Sequence, residues 1–315
     1  MNFLQILADI EQVDPEVYDR LDSRRAVFKN LGGLGQKLSA AALPLAVGAI
    51  FHKAYAQTPV GASIADVLNF ALKLEYLEAY FYQQRTAITG LSAVNAAALA
   101  LIATDEANHV SFLRTTIATL GGTPIAVPAT VGVFDYTAKG TFPTALTSAA
   151  TYLALAQSFE DTGVRAYKGA APLVMANKTV LTAALAIHAV EARHASHIRE
   201  MRRAGASSNS PSQGVPMTSN LNAAPKSWIS GTDNGGAAPG PTNAIYGAGN
   251  NINAPVNIIF AAEDNTLQGG ISLTNLPNTS SFPASAFSEA FDEGLDVGTV
   301  ARIANLFSVS GTYFG

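Results

Sequence analysis

Four glutamates, two histidines and two tyrosines recur at matched intervals between residues 75 and 194. Glu75 is followed seven residues later by Tyr82, and Glu160 seven residues later by Tyr167. Glu106 is followed three residues later by His109, and Glu191 three residues later by His194. The interval from Glu75 to Glu106 equals the interval from Glu160 to Glu191. The unit E-x6-Y … E-x2-H therefore occurs twice. On a helix, residues three apart share a face, and residues seven apart return to within about 20° of alignment. The faces that carry these carboxylates also carry Leu68, Ile102, Leu113, Ile187 and Ile198, so they should point inward. A buried carboxylate is costly unless it is paired, hydrogen-bonded or bound to a metal. Four of them in one core with two imidazoles repel one another unless cations are present. Two divalent or trivalent metal ions resolve that conflict.

The segments that must position these groups read as helices. Apolar residues at three-to-four spacing predict helices over 63–88, 93–120, 144–174 and 177–205, rich in Ala and Leu. Ser63 is placed to cap the first. Gly121 and Gly122 stop the second, and Gly205 follows the basic end of the fourth. Gly163 inside the third costs about 1 kcal/mol against Ala, so a local reason should keep it. Between the second and third helices, residues 121–143 hold four glycines and three prolines, which predicts a long connection. Arg199, Arg202 and Arg203, with Glu200, read as a solvated helix end. His188 and His197 lie about 90° off the metal-facing direction and read as flanking residues.

These residues resemble the ferritin-like di-iron carboxylate superfamily. That family places one Glu on each of two helices and Glu-x-x-His on the other two, in a bundle with one long crossover. The resemblance covers about residues 63–203 and implies an all-α, up-down-down-up four-helix bundle. It implies a centre of two iron or manganese ions held by Glu75, Glu106, His109, Glu160, Glu191 and His194. Glu106 and Glu191 would bridge, and Glu75 and Glu160 would be terminal. Carboxylate-rich sites with few imidazoles suit iron or manganese. Glu78, Gln157, Tyr82 and Tyr167 are expected around the ligands, with Glu78 a rival to Glu75 or an additional ligand, and the tyrosines either hydrogen-bonded to ligands or filling the core. The stretch LNFALKLEYLEAYFY and the segment before it look like the exported, desiccation-related branch of ferritin-like proteins. That resemblance implies a stress setting, with ferrous iron oxidised or peroxide consumed by way of O2 or peroxide. The alternative is a non-catalytic, structural or desiccation-protective protein that retains the bundle.

Residues 1–56 read as an export signal. Arg24 and Arg25 precede an apolar run at 39–51, and AYA at 54–56 supplies a small-x-small cleavage pattern before Gln57. The run is too short to span a bilayer comfortably. SRRAVFK resembles a twin-arginine signal, which implies the twin-arginine export machinery as a partner and a periplasmic or otherwise exported product. His52 falls inside this segment. Charged residues make up only 13% of the chain, which also fits export. A net charge of -4 without a basic field argues against nucleic acid as a partner. The absence of Cys excludes disulfides, thiolate metal sites and Cys nucleophiles.

The domain plan is therefore a signal at 1–56, a bundle at 63–205, a Gly/Pro/Asn-rich extension at 206–281 and a helical segment at 282–310. The extension reads either as loop packed on the bundle, with short strands at most, or as a disordered tail. Phe287, Phe291, Ile303, Leu306 and Phe307 need a partner, either the end of the bundle or another subunit in an oligomer.

Overall fold

A computed structural model describes residues 63–208, 225–250, 259–276, 279 and 281–315. The expected export signal lies outside them. Four long helices form the bundle: α1 at Ile64–Gln83, α2 at Ala93–Thr119, α3 at Ala149–Ala170 and α4 at Lys178–Ala204. Each of three starts has a side-chain cap. The Ser63 hydroxyl accepts from the Asp66 amide while Asp66 accepts from the Ser63 amide, and Ser92 and Asn177 cap α2 and α4. Gly205 closes α4 with φ +88°, a left-handed conformation that favours glycine. Helix α3 begins at 149 rather than near 144. Backbone bonds from Thr89 to the Thr147 carbonyl and from Ala149 to the Thr89 carbonyl tie the turns that precede Ala149 to the loop after α1. Among the described residues, no helix is long and apolar enough to cross a membrane.

Side-chain contacts fix the helix directions. Tyr82 reaches Glu160 and Tyr167 reaches Glu75, so α1 and α3 run antiparallel. His109 meets Glu191 and His194 meets Glu106, so α2 and α4 do as well. With each hairpin antiparallel within itself, the order is up-down-down-up. The long connection from α2 to α3 lies along α1. Asn69 accepts from the Ile125 amide and donates to the Thr123 carbonyl, Tyr80 donates to Pro128 O at 2.6 Å, and Tyr136 donates to Leu77 O at 2.8 Å. Leu72, Phe81, Leu99, Leu113, Ile117, Tyr152, Leu155 and Ile198 build the apolar core between the helices.

The described parts of the C-terminal region pack on the second hairpin and reach α1 and the crossover. They include short helices α5 (Asn243–Tyr246), α6 (Ala284–Ser288) and α7 (Val297–Asn305). A two-residue ladder pairs β1 (Leu267–Gln268) with β2 (Ile271–Ser272). Phe307 packs edge-on against Phe159 of α3 at 4.7 Å, and Ile303 joins the same core. These residues pack on the side of the bundle, between the middles of α1 and α3, rather than on its end. Phe287 closes a small separate core with Leu273, Ala286 and Ala290, and Leu306 is exposed.

Buried ions secure this packing. The fully buried Arg165 of α3 lies 2.8 Å from Glu263 and donates to the carbonyls of Ile245, Gly247, Ala261, Glu293 and Gly294. Arg199 lies 2.5 Å from both Asp161 and Asp233, and Tyr246 donates to Asp161. Arg199 is thus buried, which corrects the reading of it as part of a solvated helix end. Its partners come from α3 and the extension, which helix spacing alone does not reveal.

Candidate metal centre

The paired glutamates and histidines meet in the middle of the bundle. Glu75, Glu106, Glu160 and Glu191 are fully buried, and His109 and His194 nearly so. They form two overlapping groups able to hold metal ions. One is Glu75, Glu106, His109 and Glu191; the other is Glu106, Glu160, Glu191 and His194. In each, the four candidate ligand atoms lie within 4.8 Å of one another. Glu106 and Glu191 belong to both groups.

His109 Nδ1 sits 3.2 Å from Glu75 Oε2, 3.2 Å from Glu106 Oε2 and 3.3 Å from Glu191 Oε1. His194 Nδ1 sits 2.9 Å from Glu106 Oε1 and 3.3 Å from Glu160 Oε2. The contacts of His194 Nδ1 lack hydrogen-bond alignment. Among the described residues Glu106 Oε1, Glu160 Oε2, both Glu191 oxygens and His194 Nδ1 are buried without a hydrogen bond. Buried polar atoms ordinarily find partners. Five unsatisfied atoms of metal-ligand type, gathered in one place, are what a cation site requires.

Of the remaining carboxylate oxygens, two lie on His109 Nδ1 and two are held by phenols. Tyr82 donates to Glu160 Oε1 and Tyr167 to Glu75 Oε1, so each tyrosine of one repeat steadies the glutamate of the other. Burial, then the adjoining carboxylate, pushes both phenols well above their ordinary value, which keeps them as donors.

Electrostatics follow from burial. Burial pushes Glu75 up to about 7. Burial would also raise Glu106, but the His109 and His194 imidazoles outweigh it and hold Glu106 at about 2. Glu191 is driven well above its ordinary value by burial and then by the charges of Glu106 and Glu160. Burial alone would lower both imidazoles, yet the surrounding carboxylates raise His109 far above its ordinary range and His194 to about 11.

Local backbone makes room for this cluster. A Cβ at Gly163 would lie 2.9 Å from Glu191 Oε2 and 3.2 Å from its Cδ. That close approach is the local reason for a glycine inside α3. Glu78, 4% exposed, stays outside both ligand groups. It lines a cavity of about 20 Å³ with Gly163, Thr162, Phe159, Ile303 and Phe307. Gln157 is turned away from the ligands: its amide accepts from Arg202 and donates to Tyr246. His188 bonds the Val164 carbonyl at 2.9 Å and His197 is exposed, so neither enters the cluster.

One participant escapes the spacing argument. Asp105 Oδ2 lies 3.2 Å from His194 Nε2, the ring nitrogen remote from the other ligands. Its available signal was position, directly before Glu106 in DEANH.

The up-down-down-up bundle and its doubled Glu/His cluster define a class of helical proteins with a buried, carboxylate-rich cluster able to hold metal ions. Residues 63–204 match the family model of the ferritin-like domain. No curated protein and no solved structure matches the chain.

Proposed function

We propose that this chain is an exported ferritin-like protein holding a dinuclear iron or manganese centre, and that it oxidises ferrous iron or consumes peroxide under stress. The observation that carries this reading is the pair of four-residue groups sharing Glu106 and Glu191. Shared carboxylates suit bridging, and one histidine per group leaves a hard, oxygen-rich ligand set that favours iron or manganese. Bound iron or manganese supplies one-electron redox capacity toward O2 or peroxide. The protein supplies the rest. Tyr82 and Tyr167 orient the terminal carboxylates Glu160 and Glu75. The apolar core keeps bulk water from the ligands. In the metal-free cluster Glu78 is pushed well above its ordinary value by burial and then by the charges of Glu191, Glu106 and Glu160. Export is supported by the twin-arginine-like segment and the AYA pattern, and predicts a mature chain starting near Gln57.

The test is reconstitution of the metal-free protein with ferrous or manganous ion, followed by metal analysis and assays of peroxide loss and ferrous oxidation. Two ions per chain and turnover are expected, and Glu106→Ala with Glu191→Ala should abolish both. No metal uptake would sink the reading. Uptake of two ions without turnover would favour the non-catalytic, protective alternative.

A further inference from the structure

We propose that the two metal positions are unequal, and that Asp105 makes the position beside His194 the tighter one, filled first. This rests on the dinuclear reading above. Each proposed ligand recurs at one constant offset along the chain: Glu75 as Glu160, Glu106 as Glu191 and His109 as His194, and the tyrosines likewise. The cross-paired contacts give the two halves an approximate two-fold relation. Asp105 breaks it, because its counterpart at the same offset, directly before Glu191, is Val190.

The difference falls on the histidines. His194 turns Nδ1 toward Glu106 and Glu160, and its Nε2 lies 3.2 Å from Asp105 Oδ2. His109 turns Nδ1 toward Glu75, Glu106 and Glu191. Among the described residues its Nε2 has no hydrogen-bond partner, and Val190, where the two-fold relation would put one, carries no acceptor. A carboxylate on the remote nitrogen fixes the tautomer and ring orientation and makes the imidazole a more basic ligand. The His194 ring is therefore fixed from behind, with Nδ1 facing the position once its proton leaves. His109 is held only through Nδ1, the nitrogen an ion would take.

Asp105 acts through His194, so it is a positioning residue, and site-by-site occupancy is its readout. Manganous ion titrated calorimetrically into the metal-free full chain should bind in two steps whose affinities differ by roughly 10–100-fold, the usual cost of losing such a partner. At one equivalent, an anomalous map should place the ion beside His194. Asp105→Ala should weaken the first step by that factor and leave the second unchanged; its side chain is 39% exposed, so the fold should survive. Val190→Asp supplies the missing acceptor and should tighten the His109 position alone. Equal affinities in the native chain, a first ion beside His109, or Asp105→Ala weakening both steps alike would overturn the proposal. Failure of the native chain to bind any ion would instead overturn the dinuclear reading and this inference with it.

Discussion

His109 and His194 act as the cations of the metal-free cluster. Carboxylates raise His194 from an ordinary 6.5 to about 11 although burial opposes it, and burial raises Glu75 from 4.5 to about 7. Both groups bind a proton more tightly folded than unfolded. Stability from such groups is complete below the unfolded pKa and is lost as pH rises through the folded one. The windows are 4.5 to about 7 for Glu75 and 6.5 to about 11 for His194. Scanning calorimetry of metal-free protein should therefore give a lower melting temperature at pH 8 than at pH 5. Metal needs neutral imidazole and ionised carboxylate, so its affinity should rise with pH and its binding should release protons. Titrations in buffers of different ionisation enthalpy measure those protons; none released would contradict this account of the cluster. The buried Glu/His cluster was legible in the sequence, because helical spacing places Glu106 with His109 and Glu191 with His194. The exchange of partners between repeats was not, because Tyr82 to Glu160 and Asp105 to His194 join helices far apart in sequence and leave no local period.

Each hairpin repeats the other, but the two were specialised on their outer sides. Tyr76 and Arg114 bond to each other at 2.6 Å on the first hairpin. Their counterparts in the second repeat, Asp161 and Arg199, form the buried ion pair that receives the extension. Glu78 has Gly163 as its counterpart, and both line the cavity beside Glu191. Gly163→Ala should separate folding from binding. Helix propensity favours Ala by about 1 kcal/mol, so the metal-free variant should melt no lower than the native chain. The added Cβ, 2.9 Å from Glu191 Oε2, must displace the shared carboxylate. Metal affinity should fall roughly tenfold or more, in the range seen when groups that orient ligands are lost; unchanged affinity would remove the proposed reason for this glycine. Helix number, order and most ends could be read from periodicity and caps. The start of α3 could not, since Thr89 pairs with the segment that would otherwise extend that helix.

Across the whole molecule, the bundle is wrapped by two irregular segments, the crossover and the C-terminal region, which meet where Phe134 pairs with Ser308. The crossover lies on α1 through Asn69, Tyr80 and Tyr136, and the C-terminal region lies on α3 and α4 through Arg165 and Arg199. Composition indicated loop in the latter region. It did not show that loop fastened by buried ions, because each charge pairs with a residue from a distant element. Removing one partner of a buried pair strands the other, at a cost of about 3–5 kcal/mol. Arg165→Ala should lose about that much in chemical denaturation, through stranded Glu263 and five carbonyls, and should expose residues 225–315 to protease before the bundle. A loss under about 1 kcal/mol would mean that the extension is held by other contacts. The dinuclear centre proposed for the middle of the bundle is tested most directly by an anomalous scattering map of protein loaded with iron or manganese. Two peaks are expected, one among Glu75, Glu106, His109 and Glu191, the other among Glu106, Glu160, Glu191 and His194. Metal found elsewhere, or no peak at the cluster from fully loaded protein, would contradict it.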